Sequence, residues 1–284
     1  MDARILIVDD DPDIHALLLS SLKDTGCLAD CASSGSQALA LLQSKAYDLV
    51  LSDVMMPGLD GLELLHQIQQ RHPSTPVVVM TAQNTPEILI RSIREKAYAY
   101  FSKPFSPDAV LEMVNSALEK PAGRDDIEVL SARPGWIALR LRCKMETADR
   151  LLRFFREIQL DLAADEQNDV AFAFRELLIN AIEHGGKLDP EKKVDVACIR
   201  LSSALIYYVR DPGEGFSFDK LAHAAVANAP DDPVSHVAVR QAAGLRPGGF
   251  GILLMRDIAD ELVYNEKGNE VLLVKYTPAA RANR

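Results

Sequence analysis

Short apolar runs recur along the first 120 residues, and a helical segment separates each run from the next. Parallel strands need helical crossovers and are buried on both faces, so they are apolar throughout and lack polar alternation. The sequence therefore predicts five βα units and a parallel α/β sheet with helices on both faces. The predicted strands are residues 5–8, 28–31, 49–52, 77–80 and 98–101, and the predicted helices are residues 13–25, 36–44, 62–71, 86–96 and 107–119.

The pattern changes after residue 120. KPAGRDD contains a proline, a glycine and paired acids, which indicates a linker at 121–126 between a domain over 1–120 and a second over 127–284. Helices on one face of a mixed, largely antiparallel sheet form an α+β sandwich, which is the fold predicted for the second domain. Its predicted extended runs are residues 127–130, 136–143, 194–203, 204–211 and a hairpin over 261–276, and its predicted helices are residues 148–159 and 165–183.

Charge and composition exclude several classes of protein. The formal net charge is −10. The residues up to Lys120 include 9 basic and 16 acidic residues, and the residues after it include 22 basic and 25 acidic residues. Neither part therefore offers the basic surface that binding to nucleic acid requires. No apolar run approaches the roughly 20 residues of a membrane span, and MDARILIVDD lacks the features of a signal peptide, so we expect no membrane partner and a cytoplasmic location. The cysteines form no CxxC pair or zinc spacing and are expected to be buried free thiols: Cys27, Cys31, Cys143 and Cys198.

Polar side chains follow the ends of the predicted parallel strands. Asp9 and Asp10 follow the first strand and Asp53 the third, and the carboxyl ends of parallel strands meet at one edge of a sheet. Three converging carboxylates would repel one another, so they call for a divalent cation, and an all-oxygen site with spare positions suits Mg²⁺. Thr81 ends the fourth strand and Lys103 follows the fifth, which adds a hydroxyl and an ammonium suited to phosphate.

Taken together, ILIVDDD, LSDVMMPGLDG, VVVMTA and YFSKPF resemble the receiver domain of two-component response regulators, over residues 1–120. The resemblance implies a flavodoxin-like fold in which Asp53 accepts a phosphoryl group from a sensor histidine kinase. It also implies that Asp9 and Asp10 hold Mg²⁺ together with Asp53 and the main-chain carbonyl of Met55. Because receivers often signal by dimerising, it further implies a phosphorylation-dependent homodimer.

Three other positions match the family and one departs from it. Thr81 and Lys103 match the residues that contact the phosphoryl oxygens, and Tyr100 matches the aromatic residue that swings inward on activation. Lys96 stands where the family usually has glycine before the fifth strand. A non-glycine residue in the left-handed conformation at a helix end costs about 1 kcal/mol, so we expect an altered turn there and an unaffected phosphorylation site.

A second candidate site begins with RELLINAIEHG, residues 175–185. Its apolar residues recur at helical spacing, while Glu176 and Asn180, four residues apart, lie on one side of the helix beside the apolar stripe. By itself the pair has two interpretations. One is a solvated polar pair worth a few tenths of a kcal/mol, and the other is a pair of functional groups aimed at a ligand.

Two turns rich in glycine follow this helix in the sequence. RDPGEGF, residues 210–216, comes directly after a strand, and RPGGFGILLM, residues 246–255, opens an apolar helix. Glycines before a helix let main-chain N–H groups approach phosphates, although tight turns also use glycine for conformation alone. The residues of interest in the two turns are Asp211, Gly213, Gly215, Gly248, Gly249 and Gly251.

The order of these segments resembles the three ATP-binding boxes of the GHKL ATPases, which have the Bergerat ATP-binding fold, over about residues 127–278. The resemblance implies that Asn180 ligates the Mg²⁺ that bridges the ATP phosphates and that Glu176 is the general base. It implies that Asp211 accepts a hydrogen bond from the adenine amine and that Gly213 and Gly215 line the base pocket.

The same resemblance assigns the remaining segments. The glycines Gly248, Gly249 and Gly251 would bind the nucleotide, and residues 217–247 would form a lid. His184 matches a family position, where we expect a buried and hydrogen-bonded structural histidine. Arg246 is placed where it would reach a phosphate.

The choice among GHKL proteins follows from what surrounds the ATPase boxes. Histidine kinases need a helical hairpin that carries a phosphoacceptor histidine, whereas residues 121–147 are few and contain no histidine. The large ATPases need a transducer domain after the last strand, and the chain ends soon after it. The compact serine kinases that act as anti-sigma factors remain, and ELLINAIEHG is most similar to that group.

These resemblances predict a response regulator whose phosphorylation on Asp53 controls an ATP–Mg²⁺-binding serine kinase. Its expected partner is an anti-sigma antagonist of the STAS fold, a sigma factor, or each in turn. The alternative is a binding module in which ATP only supports the surface that sequesters a partner and no phosphoryl group moves. A DNA-binding response regulator is disfavoured by the charge balance and by the absence of a recognition-helix pattern.

Overall fold

A computed structural model of the chain describes residues 3–23, 25–83, 85–119, 127–133, 135–156, 162–216 and 251–282. The chain forms two compact units. The first consists of Met1–Asp126 and Asp149–Gln159, and the second of Ile127–Ala148 and Leu160–Arg284. The predicted linker at 121–126 lies outside the described residues.

In the described part of the first unit, five parallel strands form one sheet in the order β2-β1-β3-β4-β5. This confirms the predicted flavodoxin-like arrangement. The order makes β1 and β3 neighbours, so the residues at their carboxyl ends meet at one edge. The elements are β1 (Arg4–Val8), α1 (Pro12–Leu22), β2 (Leu28–Ala32), α2 (Gly35–Ser44), β3 (Leu49–Asp53), α3 (Gly61–Arg71), β4 (Val77–Thr81), α4 (Pro86–Arg94), β5 (Ala99–Ser102) and α5 (Pro107–Glu119).

The central strands of this sheet are buried along their whole length. Every residue of β3 and β4 is buried, as the continuous apolar runs predicted, and each fully buried Val, Leu or Ile side chain stabilises the fold by about 1.5–3 kcal/mol. Polar residues begin four of the helices, because their side chains accept a hydrogen bond from a main-chain N–H of the first turn. These caps are Asp11, Ser34, Asp60 and Thr85.

The turn between α4 and β5 keeps the left-handed conformation at Lys96, so the expectation of an altered turn was wrong. Its φ is 61°, in the left-handed region that favours glycine, and its main-chain N–H donates to the carbonyl of Ile93 at 3.1 Å. A lysine therefore occupies a position that a glycine would occupy with less strain. The turn precedes the strand that carries Tyr100.

Lys96→Gly is expected to raise the free energy of unfolding of the first unit by roughly 0.5–1 kcal/mol, because relief of the left-handed strain exceeds the added entropy of the unfolded chain. Denaturant unfolding followed by circular dichroism measures the change. Lys23 is the matched control, since its φ of −54° is ordinary for lysine and Lys23→Gly should lower stability. A loss of stability in Lys96→Gly would contradict the argument.

Among the described strands of the second unit, every pairing is antiparallel, and the order is β10-β11-β9-β8-β7-β6. The predicted sheet was mixed, and the described strands show only its antiparallel part. The predicted hairpin turn at 267–269 is present, with Gly268 at a φ of 76°. The strands are β6 (Ile127–Arg133), β7 (Trp136–Arg142), β8 (Lys193–Arg200), β9 (Ala204–Arg210), β10 (Glu261–Tyr264) and β11 (Glu270–Tyr276).

Helices complete the α+β arrangement of this part of the chain. The helix α7 packs against β9, where the ring of Phe174 stacks on Tyr207 with centroids 4.4 Å apart. A π turn over Ala181–Gly185 continues α7. The helices are α6 (Met145–Arg156), α7 (Ala164–Asn180), α8 (Gly251–Ile258) and α9 (Pro278–Arg281).

All four cysteines are free thiols, as predicted, but only two are buried. Burial raises the pKa of Cys143 to about 11 and that of Cys198 to about 12, so both remain protonated at neutral pH. Cys27 and Cys31 are partly exposed, because β2 is an edge strand. Cys27 lies one residue before β2, and Cys31 lies within it. The prediction of burial was wrong for this pair.

Candidate functional site

Three carboxylates converge at the carboxyl edge of the parallel sheet. Asp9 follows β1, Asp53 ends β3 and Asp10 lies in the turn before α1. One oxygen atom from each carboxylate lies within 4.8 Å of those of the other two. Asp9 and Asp53 are buried, whereas Asp10 is exposed. The structure thus brings together the acidic residues predicted for a metal site.

Lys103 joins this cluster from the end of β5. Its Nζ lies 2.7 Å from Asp9 Oδ2 and 2.9 Å from Asp53 Oδ1. Burial raises the pKa of Asp53, an effect that the Lys103 ammonium opposes. Burial alone would lower the pKa of Lys103, but hydrogen bonds to Asp9 and Asp53 outweigh it and the pKa is raised. The lysine is therefore a fixed positive charge beside Asp53 at neutral pH.

The main chain also holds the Asp53 carboxylate. The N–H of Met55 donates to Asp53 Oδ2 at 3.0 Å. The contact seen at Met55 is made by its N–H, whereas the predicted metal ligand is its carbonyl. Gly61, within the LDG segment after β3, packs so closely that a Cβ there would overlap the main-chain carbonyl of Asp53. Gly61 was not singled out from the sequence, although the position of LDG after the strand is a usable signal.

Gln83 connects two of the predicted residues of this site. The N–H of Gln83 donates to Thr81 Oγ1 at 3.1 Å, and the carbonyl of Gln83 accepts from the Tyr100 hydroxyl at 3.2 Å. Tyr100 and Thr81 are fully buried, so the ring of Tyr100 points inward. The sequence gives no signal for Gln83, because its contribution is made entirely by the main chain.

The carboxylate cluster fits Mg²⁺. Its three acids supply hard oxygen donors from one place, two of them are buried, and the exposed position of Asp10 leaves access from solvent. Asp9, Asp10 and Asp53 would hold the ion.

The second candidate site lies around the last turns of α7. Glu176 and Asn180 are both partly buried and lie one turn apart on the same side of the helix. Glu176 Oε1 accepts from Arg175 Nη1 at 3.2 Å, and its Oε2 lies 3.1 Å from where a Cβ on Gly251 would be. Helix α7 therefore places Glu176 against the first residue of α8. In the described part of the chain, the Asn180 carboxamide has no hydrogen-bond partner.

The helix was predicted to continue to residue 183 and instead widens after Asn180 into the π turn. The N–H of Gly186 donates to the carbonyl of Ala181 at 2.8 Å, five residues earlier. His184 lies in this turn and is exposed, so the expectation of a buried structural histidine was wrong. The wider turn directs the His184 side chain to solvent, while Ala181 and Ile182 take the buried positions.

The loop after β9 positions the carboxylate of Asp211. Asp211 Oδ1 accepts from the N–H of Gly213 at 2.7 Å. Burial raises the pKa of Asp211, and the Gly213 N–H opposes this effect. Gly215 has a φ of 79°, and a Cβ there would overlap the carbonyl of Lys267. Both glycines of the box are thus required by close packing around the loop.

Two residues that the sequence analysis did not assign also support Asp211. The Nδ2 of Asn269, which is buried, donates to the main-chain carbonyl of Asp211 at 3.3 Å. Gly185, at the end of the π turn, lies so close that a Cβ on it would overlap the Asp211 carboxylate. The pair of glycines at the end of RELLINAIEHGG is the signal that could have identified Gly185.

Gly185→Ala is expected to displace the Asp211 carboxylate and to weaken nucleotide binding by about tenfold or more, since a good hydrogen bond to a charged group contributes about 1.5–3 kcal/mol. Calorimetric titration with ADP and Mg²⁺ measures the effect. Ala181→Gly, within the same π turn, controls for general loosening of the backbone. Unchanged affinity in a folded Gly185→Ala variant would show that Asp211 does not bind the nucleotide.

Part of the predicted ATP site lies outside the described residues. This part comprises Gly248, Gly249, Arg246 and the proposed lid at 217–247. Gly251 is described and opens α8, as the pattern RPGGFGILLM predicted.

The described residues fit an adenine nucleotide. Asp211 supplies a partly buried carboxylate that could accept from an exocyclic amine, and Asn180 supplies a carboxamide with an oxygen acceptor and a nitrogen donor. The start of α8 lies beside Glu176, where main-chain N–H groups of a helix terminus favour phosphate. In this fit, Asp211 would hold the base, and Asn180 and Glu176 would face the phosphates.

Two protein families match successive parts of the chain. Residues 5–115 match the response regulator receiver domain, and residues 141–275 match the histidine kinase-like ATPase domain. No helix in the described ranges combines the length and the hydropathy that a membrane crossing needs.

The similar proteins match a part of this chain that is less than half of its length. The DNA-binding transcriptional regulator NtrC of Salmonella typhimurium is 40% identical over 114 residues, which are 40% of this chain and 24% of NtrC. The nitrogen assimilation regulatory protein NtrX of Azorhizobium caulinodans is 37% identical over 128 residues, 44% of this chain and 28% of NtrX. The chain thus spans about a quarter of the length of these relatives.

Two solved structures are also similar. The chemotaxis response regulator CheY4 of Vibrio cholerae is 29% identical, with a TM-score of 0.39, and the match covers 40% of this chain and 98% of CheY4. NtrX from Brucella abortus in complex with ADP is 38% identical, with a TM-score of 0.40, over 42% of this chain and 27% of NtrX.

Proposed function

The chain carries a response regulator receiver domain followed by a histidine kinase-like ATPase domain, and we propose that phosphorylation of Asp53 controls an ATP-dependent serine kinase in the second domain. Its substrate would be a serine of an anti-sigma antagonist of the STAS fold, and it would act in partner-switching control of transcription. The observation that carries the proposal is the position of Glu176 beside the first residue of α8, with Asn180 one turn later on the same side of α7.

In the receiver, Asp53 is the proposed nucleophile. One carboxylate oxygen of Asp53 attacks the phosphorus atom of the donor, and the bond from phosphorus to the leaving group breaks. Lys103, 2.9 Å from Asp53 Oδ1, offsets the negative charge that accumulates, and the buried Thr81 hydroxyl lies at the same edge. Bound Mg²⁺ would supply further charge neutralisation at Asp9, Asp10 and Asp53. The phosphoryl donor would be a sensor histidine kinase.

In the ATPase domain, Glu176 is the proposed general base. It takes the proton from the substrate serine hydroxyl as the serine oxygen bonds to the γ-phosphorus of ATP and the bond to ADP breaks. Asn180, one turn later, would be a ligand of Mg²⁺. The ion would neutralise the charge of the phosphates. Asp211 would fix the adenine.

The residues that precede the ATPase helices support a serine as the acceptor. Residues 127–133 and 136–142 are the strands β6 and β7, and residues 121–147 contain no histidine. A histidine kinase would need a phosphoacceptor histidine there. The similarity of ELLINAIEHG to the anti-sigma serine kinases points to the same class.

The kinase assignment is tested with purified protein, labelled ATP, Mg²⁺ and candidate antagonists of the STAS fold. Each reaction is run with untreated protein and with protein phosphorylated by acetyl phosphate. We expect transfer of label to a serine of one antagonist, at a rate that differs between the two states of Asp53. Absence of transfer to every candidate in both states would defeat the proposal.

One contact favours a second candidate function. Arg175 Nη1 donates to Glu176 Oε1 at 3.2 Å, so a substrate hydroxyl would have to compete with this ion pair for the carboxylate oxygen. In this alternative the domain binds ATP without transferring the phosphoryl group and sequesters a sigma factor or an antagonist. Receiver phosphorylation would then regulate the capture, through a homodimer or within one chain.

A further inference from the structure

The turn between β10 and β11 packs against the loop that carries Asp211. We call residues 265–269 the hairpin turn and residues 211–216 the base loop. The strands β11 and β9 pair side by side, with Glu270 opposite Arg210, so the hairpin turn and the base loop leave the sheet next to each other. The hairpin turn is therefore placed where it can set the conformation of the base loop.

Two glycines let the main chains of these segments approach closely. Gly215 has a φ of 79°, and a Cβ on it would overlap the carbonyl of Lys267. Gly268 has a φ of 76°, and a Cβ on it would overlap the carbonyl of Phe216. Each segment thus carries a glycine where the main chain of the other segment passes, and the fit between them is reciprocal.

Hydrogen bonds join the same segments where the base loop begins. The main-chain N–H of Asp211 donates to the carbonyl of Asn269 at 3.0 Å, and Asn269 Nδ2 donates to the carbonyl of Asp211 at 3.3 Å. Asn265 fixes Asn269 in turn, because its Nδ2 donates to Asn269 Oδ1 at 3.0 Å and its Oδ1 accepts from the Asn269 N–H at 3.0 Å. The hairpin turn is therefore held together internally and holds the main chain of Asp211.

Lys267, in the hairpin turn, adds a charge to these contacts. Its Nζ donates to the carbonyl of Gly213 at 3.1 Å, and the N–H of Gly213 donates to Asp211 Oδ1 at 2.7 Å. Lys267 thus holds the residue that orients the Asp211 carboxylate. Burial raises the pKa of Asp211, and the Lys267 ammonium is one of the groups that oppose this effect.

We propose that the hairpin turn sets the base loop in the conformation that binds an adenine base, and that Lys267 is a positioning residue for the Asp211 carboxylate. Lys267 acts through Gly213 and through its charge, without contact to the nucleotide. A loop that is already in its binding conformation loses less conformational freedom on binding, which strengthens the complex. The inference rests on the proposed binding of adenine by Asp211 and does not require phosphoryl transfer.

Among the described residues, Lys267 is the charged side chain that acts on the Asp211 carboxyl. The thiol of Cys143, before α6, is close enough to interact with Asp211, but its pKa is raised to about 11 and it is neutral. The π turn contributes His184 and the base loop contributes Glu214, and both are exposed, where solvent screens their charge. Removal of the Lys267 ammonium should therefore raise the pKa of Asp211 further.

Calorimetric titration of the full chain with ADP and Mg²⁺ at a series of pH values tests the role of Lys267. Asp211 accepts as a carboxylate, so affinity is present above its pKa and is lost as the pH falls through it. Lys267→Met should weaken binding by about threefold or more at neutral pH and shift the loss of affinity to higher pH. Lys267→Arg retains the charge and should restore both properties. The titration of ADP itself is the same for every variant.

Hydrogen exchange on the nucleotide-free full chain tests the conformation of the base loop directly. The Gly213 amide should exchange about threefold faster in Lys267→Met than in the wild type, because the bond that holds its peptide is lost. Lys193→Met is the matched control, since Lys193 is an exposed lysine of β8 that pairs with Glu128. It should change neither the exchange of Gly213 nor the pH dependence of ADP binding.

The outcomes separate this inference from the proposed function. If the wild type binds ADP and Lys267→Met has the same affinity and pH dependence, the inference is overturned and the proposed nucleotide site stands. Equal losses in Lys267→Met and Lys267→Arg would also overturn it, because the charge would not be the cause. A wild-type chain that binds no ADP would defeat the proposed nucleotide site and this inference together.

Discussion

Asp53→Asn is expected to abolish phosphoryl incorporation from acetyl phosphate, with a loss of about 100-fold or more. The substitution removes the carboxylate oxygen that attacks phosphorus and leaves a neutral group of nearly the same size. The Lys103 ammonium and the Met55 N–H both lie within hydrogen-bond distance of the Asp53 carboxylate. A phosphoryl group would therefore meet both donors when it is attached to residue 53. Intact-protein mass spectrometry after treatment with acetyl phosphate and Mg²⁺ measures the incorporation.

Asp108→Asn is the matched control for this experiment. Asp108 is an exposed acid in the first turn of α5 and is not among the three carboxylates of the cluster, so its loss should leave incorporation unchanged. Incorporation that persists in Asp53→Asn would show that another residue accepts the phosphoryl group. Asp9 and Asp10 would then be the first alternatives, because their oxygens lie in the same cluster.

Glu176→Gln is expected to lower the rate of phosphoryl transfer to a substrate serine by about 10²-fold or more, while the affinity for ATP stays within about threefold. The amide keeps the size and the hydrogen-bonding reach of the carboxylate but cannot take a proton at neutral pH. Single-turnover transfer of labelled phosphate measures the rate, and calorimetry measures the affinity.

The same variant separates the two candidate functions. A protein that only sequesters its partner should bind that partner as well with glutamine at 176 as with glutamate. Glu191→Gln is the control, since Glu191 is a highly exposed acid that pairs with Arg142 and should not affect transfer. Full transfer by Glu176→Gln would mean that the proton leaves by another route and that Glu176 is not the base.

The receiver fold and its acidic cluster were predictable because both follow from strand order and strand ends. Continuous apolar runs required burial on both faces, and Asp53 lay at the end of such a run. In these cases local sequence pattern and tertiary position agree. The left-handed conformation of Lys96 was not predicted, because the expected strain of a lysine there favoured an altered turn.

Other features depend on contacts that the sequence pattern does not encode. Gln83 acts through its main chain, so its residue type carries no signal. The exposure of His184 follows from the π turn, which a periodicity of 3.6 residues cannot reveal.

The π turn over Ala181–Gly185 fixes the position of Gly185 against Asp211. Such a turn holds one residue more than an α-helical turn, so straightening it into an α-helix without a deletion would rotate everything after it by about 100°. Gly185 would then leave its place against Asp211, and a larger residue would meet that carboxylate. Homologues should therefore vary freely at the exposed His184 while keeping a constant spacing between Asn180 and Gly185.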